Sequence, residues 1–305
     1  MLLTIILLIV TLLIVPYVSF NYGTALTEVQ EMILWDSSYI LLGAMAYCFI
    51  VGELARNNSQ VDKLWSIIPI VYAWYITYAG GWNERMILMS VLVTIWGIRL
   101  SLNFARRGGY SIKFWEGEED YRWEILRQRP GFKNKGIWFL FNLFFICGYQ
   151  MTLIYLFTLP VLTGLSEAAP ALMWMDYVLA IAFIFFVAIE TIADQQQWNF
   201  QTEKYRRIHA GEDLGDYAHG FIRTGLWSKM RHPNYMAEQA IWLVFYCFSI
   251  IATGEFLNWS IAGALLLLIL FKSSSDFSEE ITTKKYPEYK TYQNKVPRFL
   301  PFTKW

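Results

Sequence analysis

Residues Leu226–Glu238 read LWSKMRHPNYMAE, and Ala240–Gly254 read AIWLVFYCFSIIATG. The first stretch carries Lys229, Arg231, His232, Pro233, Asn234 and Glu238; the second is almost wholly apolar. Proline suits the first turn of a helix, where its missing N–H leaves no bond unmade. The pair of stretches predicts a helix that begins near Pro233 and has the roughly 20 apolar residues that a bilayer core requires. A charged box at the mouth of such a helix decides the fold class: an all-α integral membrane protein.

Composition agrees. The chain of 305 residues is 56% hydrophobic and 16% charged, against roughly 25% charged in a soluble domain. Apolar stretches near 2–20, 37–54, 64–80, 86–104, 137–163, 173–193, 236–254 and 257–272 predict about eight transmembrane helices. The count is seven if 64–80, short and aromatic, is not a span. The first stretch lacks a basic leading region and a small-residue cleavage motif, so it reads as a retained span. With eight spans both termini share one side. Of the 25 Lys and Arg, 23 lie on that side, in 55–63, 105–136, 194–235 and the tail from Lys272. Arg85 lies opposite and Arg99 lies inside a span. The positive-inside rule then makes the termini and long loops cytoplasmic, in a bacterial inner membrane or the endoplasmic reticulum.

Several classes are excluded. Net charge is zero, so no global field draws in nucleic acid. Cys48, Cys147 and Cys247 are scattered in apolar stretches, with no metal-ligand spacing, which argues against a disulfide framework or a metal site. There is no GxGxxG after a strand, Walker loop, GxSxG or HExxH. A nucleotide here would be held by helix ends and basic loops.

Four constellations carry chemistry. In the opening stretch, the helix N-terminus is an anion site to which Lys229 and Arg231 add charge. Asn234 and Glu238 lie four apart on one face. The plain alternative is that the cations anchor a helix at the headgroups and Glu238 pairs with one of them. In ETIADQQQWNFQ, Glu190, Asp194, Gln197 and Gln201 form one helical stripe, and carboxylates at that depth usually face an interior cavity. In WGIRLSLNFARRGGY, Arg99, Asn103 and Arg106 share a face, with Arg107 beside them. Arg106 and Arg107 suit interfacial anchors as well as a phosphate, while the deeper Arg99 needs a partner, Asp62 or Glu190. In NSQVDKLWSIIP, Asp62 stands where a helix N-cap or first-turn carboxylate would.

GLWSKMRHPNYMAEQAIW, ETIADQQ, WGIRL followed by ARR and EEDYR, and the late SEEITTKKYPEYKTYQNKVPRFLP together resemble an uncharacterised membrane family related to steroid 5α-reductase. The resemblance covers roughly residues 55–305, leaving 1–54 as N-terminal transmembrane helices. The RHPNY box is also similar to boxes in isoprenylcysteine carboxyl methyltransferases and phospholipid methyltransferases, which use S-adenosylmethionine. The reductase resemblance implies a helical membrane enzyme that holds NADPH. It implies cofactor contacts for Asp194, Asn234 and Glu238, with Gln201, Arg231, His232 and Tyr235 in the same set. Arg106-Arg107 stand where the reductases carry an Asn-Arg pair on phosphate, so the first position departs. Asp62 stands where they carry a carbonyl-polarising glutamate, and no tyrosine matches its usual companion. FKSSSDFSEE replaces their histidine-rich segment. These departures bear on steroid specificity.

The expectation is an NADPH-dependent reductase of a conjugated, enone-type lipid. Asp62 and Arg99 are its catalytic candidates, with Tyr72 or Tyr75 to fix Asp62. An S-adenosylmethionine-dependent lipid methyltransferase is the second reading, and Glu279-Glu280 with the Tyr-rich tail fits it. Arg106-Arg107 favours the dinucleotide, because the methyl donor has no phosphate. A non-enzymatic transporter or lipid-binding scaffold is the third, favoured by paired broken helices or an inverted repeat, of which the sequence shows neither.

Overall fold

The computed structural model describes residues 9–14, 17, 18, 21, 23, 25–166 and 169–301. The expected span at 2–20 lies largely outside the described residues. Helix α1 is Glu28–Ala55, α2 Gln60–Trp65, α3 Ile68–Ala79 and α4 Glu84–Ala105. A short α5, Tyr121–Arg127, is followed by α6, Lys135–Phe141. A π-helical stretch, Asn142–Tyr149, joins α6 to α7, Gln150–Thr158, which tightens into a 3-10 turn over Leu159–Leu165. Then come α8, Trp174–Ala210; α9, Pro233–Thr253; α10, Ala262–Lys285; and α11, Tyr289–Lys295.

Among the described residues, six helical segments are long and apolar enough to cross a membrane: Glu28–Ala55, Glu84–Ala105, Lys135–Leu165, Trp174–Ala210, Pro233–Thr253 and Trp259–Lys285. The stretch expected to span at 64–80 is instead α3, of 12 residues. At 1.5 Å per residue it rises about 18 Å, short of the roughly 30 Å hydrocarbon core. Its Tyr72, Ala73 and Ile76 are fully buried while Val71 and Tyr78 are exposed, so α3 buries one face and leaves the other open. By contrast, α8 has 37 residues and rises about 55 Å, so its second half extends past any core.

The chain divides into two compact units: residues up to Ala180 with Phe245–Leu266, and Ile181–Val244 with Leu267 onward. In the first unit, Trp96, Met89, Ile154 and Phe157 are among the fully buried apolar side chains. Two glycines permit close approach there. A Cβ on Gly97 would stand 2.5 Å from the Ser66 carbonyl oxygen, and one on Gly263 would stand 2.1 Å from the Phe157 nitrogen. Thr27 and Gln30 form a capping box at the start of α1, and the Gln30 amide also donates to the Leu162 carbonyl at 3.1 Å. Arg85 is fully buried in an ion pair with Asp176, 2.7 Å from Nε to Oδ1. Its remaining N–H groups donate to the Pro170 and Ala171 carbonyls at 2.9 and 3.2 Å. The pair brings the first turns of α4 and α8 together, and exposed Trp82 and Trp174 beside them suit an interfacial aromatic belt.

The second unit holds the polar half of α8, the start of α9, the end of α10, and α11. Phe221, Tyr289 and Tyr292 form its apolar centre, with Tyr286 and Val296 against them.

Candidate functional site

Within the first unit, Asp62, Ser66, Asn103, Arg107, Asp120 and Arg122 help to line a pocket of about 400 Å³. Asp62 lies in the first turn of α2, after Ser59 at the N-cap position. The indole N–H of Trp123 donates to Asp62 Oδ2 at 3.3 Å. Burial raises the Asp62 pKa and the neighbouring Asp120 raises it further, against smaller opposing effects of Ser59, Arg122 and Trp123. Asp120 behaves in the opposite way. Burial disfavours its charge, but Arg122 holds its pKa below the usual carboxylate value through two bonds of 2.8 and 2.7 Å. One pocket thus presents a carboxyl pushed toward its neutral form beside one kept ionised, the arrangement that separates an acid from a base.

Of the expected residues in this unit, the pocket is lined by Asp62 and Arg107 but, among the described residues, not by Arg99 or Arg106. The Arg106 guanidinium donates to Asn103 Oδ1 at 2.5 Å. Trp123, not a tyrosine, is the side chain that hydrogen-bonds Asp62, and Ser59 lies close by, accepting from the Asp120 N–H. Tyr72 is buried against Tyr155, with ring centroids 5.1 Å apart. Trp123, Asp120 and Arg122 escaped the sequence reading because they lie 58 to 61 residues from Asp62. Asp120 and Arg122 fall in the EEDYR stretch and Trp123 directly follows it, but no local spacing ties them to Asp62.

Within the second unit, Glu190 and Asp194 are buried on α8. Asn234 in the first turn of α9 donates to Asp194 Oδ1 at 3.1 Å and accepts from the Tyr235 N–H at 3.0 Å. Glu238 accepts from the Trp242 indole at 3.0 Å. One turn beyond Asp194, the buried Oε1 of Gln197 has no hydrogen-bond partner among the described residues. Gln201 is half-buried a turn further on.

Arg231 and His232 are engaged differently. Arg231 Nε donates to Glu279 Oε1 at 2.6 Å, and its Nη1 donates to the Gln293 and Val296 carbonyls at 3.0 and 2.5 Å. His232 Nε2 lies 2.9 Å from the same Glu279 oxygen. The backbone N–H groups of Arg231 and His232 donate to the carbonyls of Pro297 and Arg298 at 2.8 and 3.1 Å. Glu279 also accepts from Gln293 at 2.8 Å and Arg298 at 3.3 Å. Burial lowers the His232 pKa, with Glu279 working against it. The carboxylate that answers Arg231 is therefore Glu279, not Glu238. The first two residues of the RHPNY box clasp the C-terminal segment, and Asn234 and Glu238 lie beyond the clasp. The tyrosine of the box stacks on His232, ring centroids 5.2 Å apart.

No group of three or more metal-ligating side chains occurs among the described residues. Residues 48–296 match the family model described as a protein of unknown function, DUF1295. An uncharacterised protein of Schizosaccharomyces pombe is 38% identical over 275 residues, covering 83% of this chain and 77% of the relative. No solved structure matches the chain. A family match over most of the chain and a relative of this identity together mean that the protein belongs to the DUF1295 family.

Proposed function

We propose that the protein is a membrane-embedded, NADPH-dependent reductase of a conjugated lipid carbonyl. The observation that carries this reading is Asp62: a carboxyl pushed toward its neutral form on the wall of a pocket of about 400 Å³. A neutral acid is what a carbonyl oxygen requires as negative charge builds on it. Polar groups of the second unit also suit a dinucleotide. Asp194, Asn234 and the unanswered Gln197 acceptor offer partners for ribose hydroxyls or a carboxamide. Within the first unit, Arg107 on the wall of the Asp62 pocket offers charge for an anionic group. Arg231, matched to Glu279, holds the box in shape.

Bound NADPH would supply a hydride to the β-carbon of the enone. Asp62 gives its proton to the carbonyl oxygen, and Trp123 holds the carboxyl in place. Burial, with Asp120 beside it, favours the protonated form of Asp62. The finer topology, about eight spans with both termini cytoplasmic, belongs to the same reading. It rests on the placement of 23 of 25 cations.

The test is thermal stability of the detergent-solubilised protein with NADPH and, separately, with S-adenosylmethionine. A ligand at 100 times its dissociation constant stabilises by about 2.7 kcal/mol. A shift with NADPH that is lost in Asn234→Ala, with NADPH oxidation on adding a lipid enone, is the expected result. A shift with S-adenosylmethionine alone sinks the reductase reading in favour of methyl transfer.

A further inference from the structure

The loop between α4 and α5 is held in an unusual way. Four successive carbonyls of the loop are each bound by a side chain from the α1–α2 segment. Lys63 Nζ donates to Phe114 O at 2.9 Å and to Glu116 O at 2.5 Å. The Gln60 amide donates to Trp115 O at 3.0 Å, and the Asn57 amide donates to Gly117 O at 2.9 Å. All three donors are buried. A buried ammonium is expensive unless its donors are matched, and here the loop backbone matches them. The loop's path is therefore fixed by the interior of the unit.

Its side chains face the other way. Ile112 is fully exposed, and Phe114 and Trp115 are 57% and 42% exposed. Lys113 between them pairs with Glu116 at 3.1 Å on the surface. Phe114 and Trp115 form a groove of about 320 Å³ with Val51, Leu54 and Ala55. Those three belong to the last turns of α1, one of the six segments long and apolar enough to cross a bilayer. Leu54 and Ile50 on that helix are also exposed, so the groove continues the apolar outer surface of a span. A tryptophan, a phenylalanine and a lysine at the end of a span are what the headgroup boundary favours: the rings stay at the interface while the lysine reaches water.

We infer that Ile112–Trp115 form a rigid wedge at the membrane–water boundary, and that the groove between the wedge and the last turns of α1 seats an acyl chain of a bilayer lipid. The neighbouring residues of the same loop, from Glu118 to Arg122, line the Asp62 pocket. The wedge thus fixes that pocket's height relative to the lipid surface. The inference rests on the membrane reading of the helices and not on the proposed reaction.

The test uses the full chain in phosphatidylcholine nanodiscs. Nitroxides at Ile112→Cys and Phe114→Cys, on a background with Cys247→Ala, are compared for collision with oxygen and with a water-soluble nickel chelate. Both positions are expected to favour oxygen by several-fold, as lipid-exposed sites do. Preferential collision with nickel at both would overturn the wedge. A photoreactive benzoyl-phenylalanine in place of Phe114 is expected to yield a covalent phosphatidylcholine adduct by mass spectrometry. Crosslinks only to protein would overturn the acyl-chain groove. Because Ile112 and Phe114 are exposed, neither substitution threatens folding. No readout involves turnover, so failure here and failure of the reductase reading are separate results.

Discussion

Arg231 Nε lies 2.6 Å from Glu279 Oε1, so the arginine of the box at the mouth of α9 is matched to a carboxylate 48 residues later in the chain. Both side chains are buried. With the His232, Gln293 and Arg298 bonds to the same carboxylate, the pair makes one knot of α9, α10 and the segment after α11.

Glu279→Ala leaves a buried guanidinium without its counter-charge. Removing one partner of such a pair costs about 3–5 kcal/mol. Thermal unfolding in detergent should show the loss, and limited proteolysis should show early cleavage after Lys295. Arg231→Met should behave similarly. If Arg231→Met instead keeps full stability but abolishes the NADPH-dependent thermal shift, Arg231 is a ligand contact and not part of a clasp.

Asp62→Asn should lower turnover by about 10²- to 10⁴-fold, the usual contribution of a positioned acid. Full turnover in this variant would remove Asp62 from the mechanism. Stability should move the other way. The folded-state pKa of Asp62 lies above its unfolded value of about 3.9, so the folded state holds the proton more tightly. Its contribution is complete below pH of about 3.9 and is lost as pH rises through the folded value. The variant should therefore be more stable than the parent at neutral pH, with the difference vanishing in acid. Paired unfolding curves across pH would check this.

The His232 pKa lies below its unfolded value of about 6.5 because the ring is buried. Its stabilising contribution is complete above pH of about 6.5 and is lost as pH falls through the folded value. His232→Gln should flatten the decline in melting temperature between neutral and mildly acidic pH. An unchanged decline would assign the acid sensitivity to other groups.

Gly263→Ala puts a methyl group 2.1 Å from the Phe157 backbone nitrogen. The obstacle is backbone, so a helix must shift. Overpacking of this kind costs about 1–3 kcal/mol. The melting temperature of the purified variant measures the cost, and an unchanged value would mean that the crossing at Phe157 is looser than the geometry requires.

The helices were legible because apolar length is a property of a local window. The start of α9 could be read from Pro233, and the Glu190–Asp194–Gln197–Gln201 stripe lies on one continuous helix as its spacing requires. In the 64–80 stretch, hydropathy alone does not show that α3 is 12 residues long, with Tyr72 and Ile76 buried and Val71 and Tyr78 exposed. At the site, the box stood out in sequence, but its partner did not. Glu279 lies near the end of a polar helix half, and nothing within a helical turn of it announces a buried arginine. Asp62 had the same difficulty: its environment comes from Asp120, Arg122 and Trp123, which only the fold brings near. Side chains that work with neighbours three or four residues away can be read from a sequence, and those that depend on distant loops cannot.

The Arg85–Asp176 pair has a consequence for how the protein is made. The two residues are 91 positions apart, and the ribosome delivers the arginine first. Until the start of α8 emerges, the first turn of α4 carries a cation whose buried seat is unfinished. An insertion intermediate ending before residue 176 thus carries a guanidinium without its counter-charge. Nascent chains truncated at Pro170 should be degraded faster than chains extended to Ala180, and Arg85→Met should erase that difference.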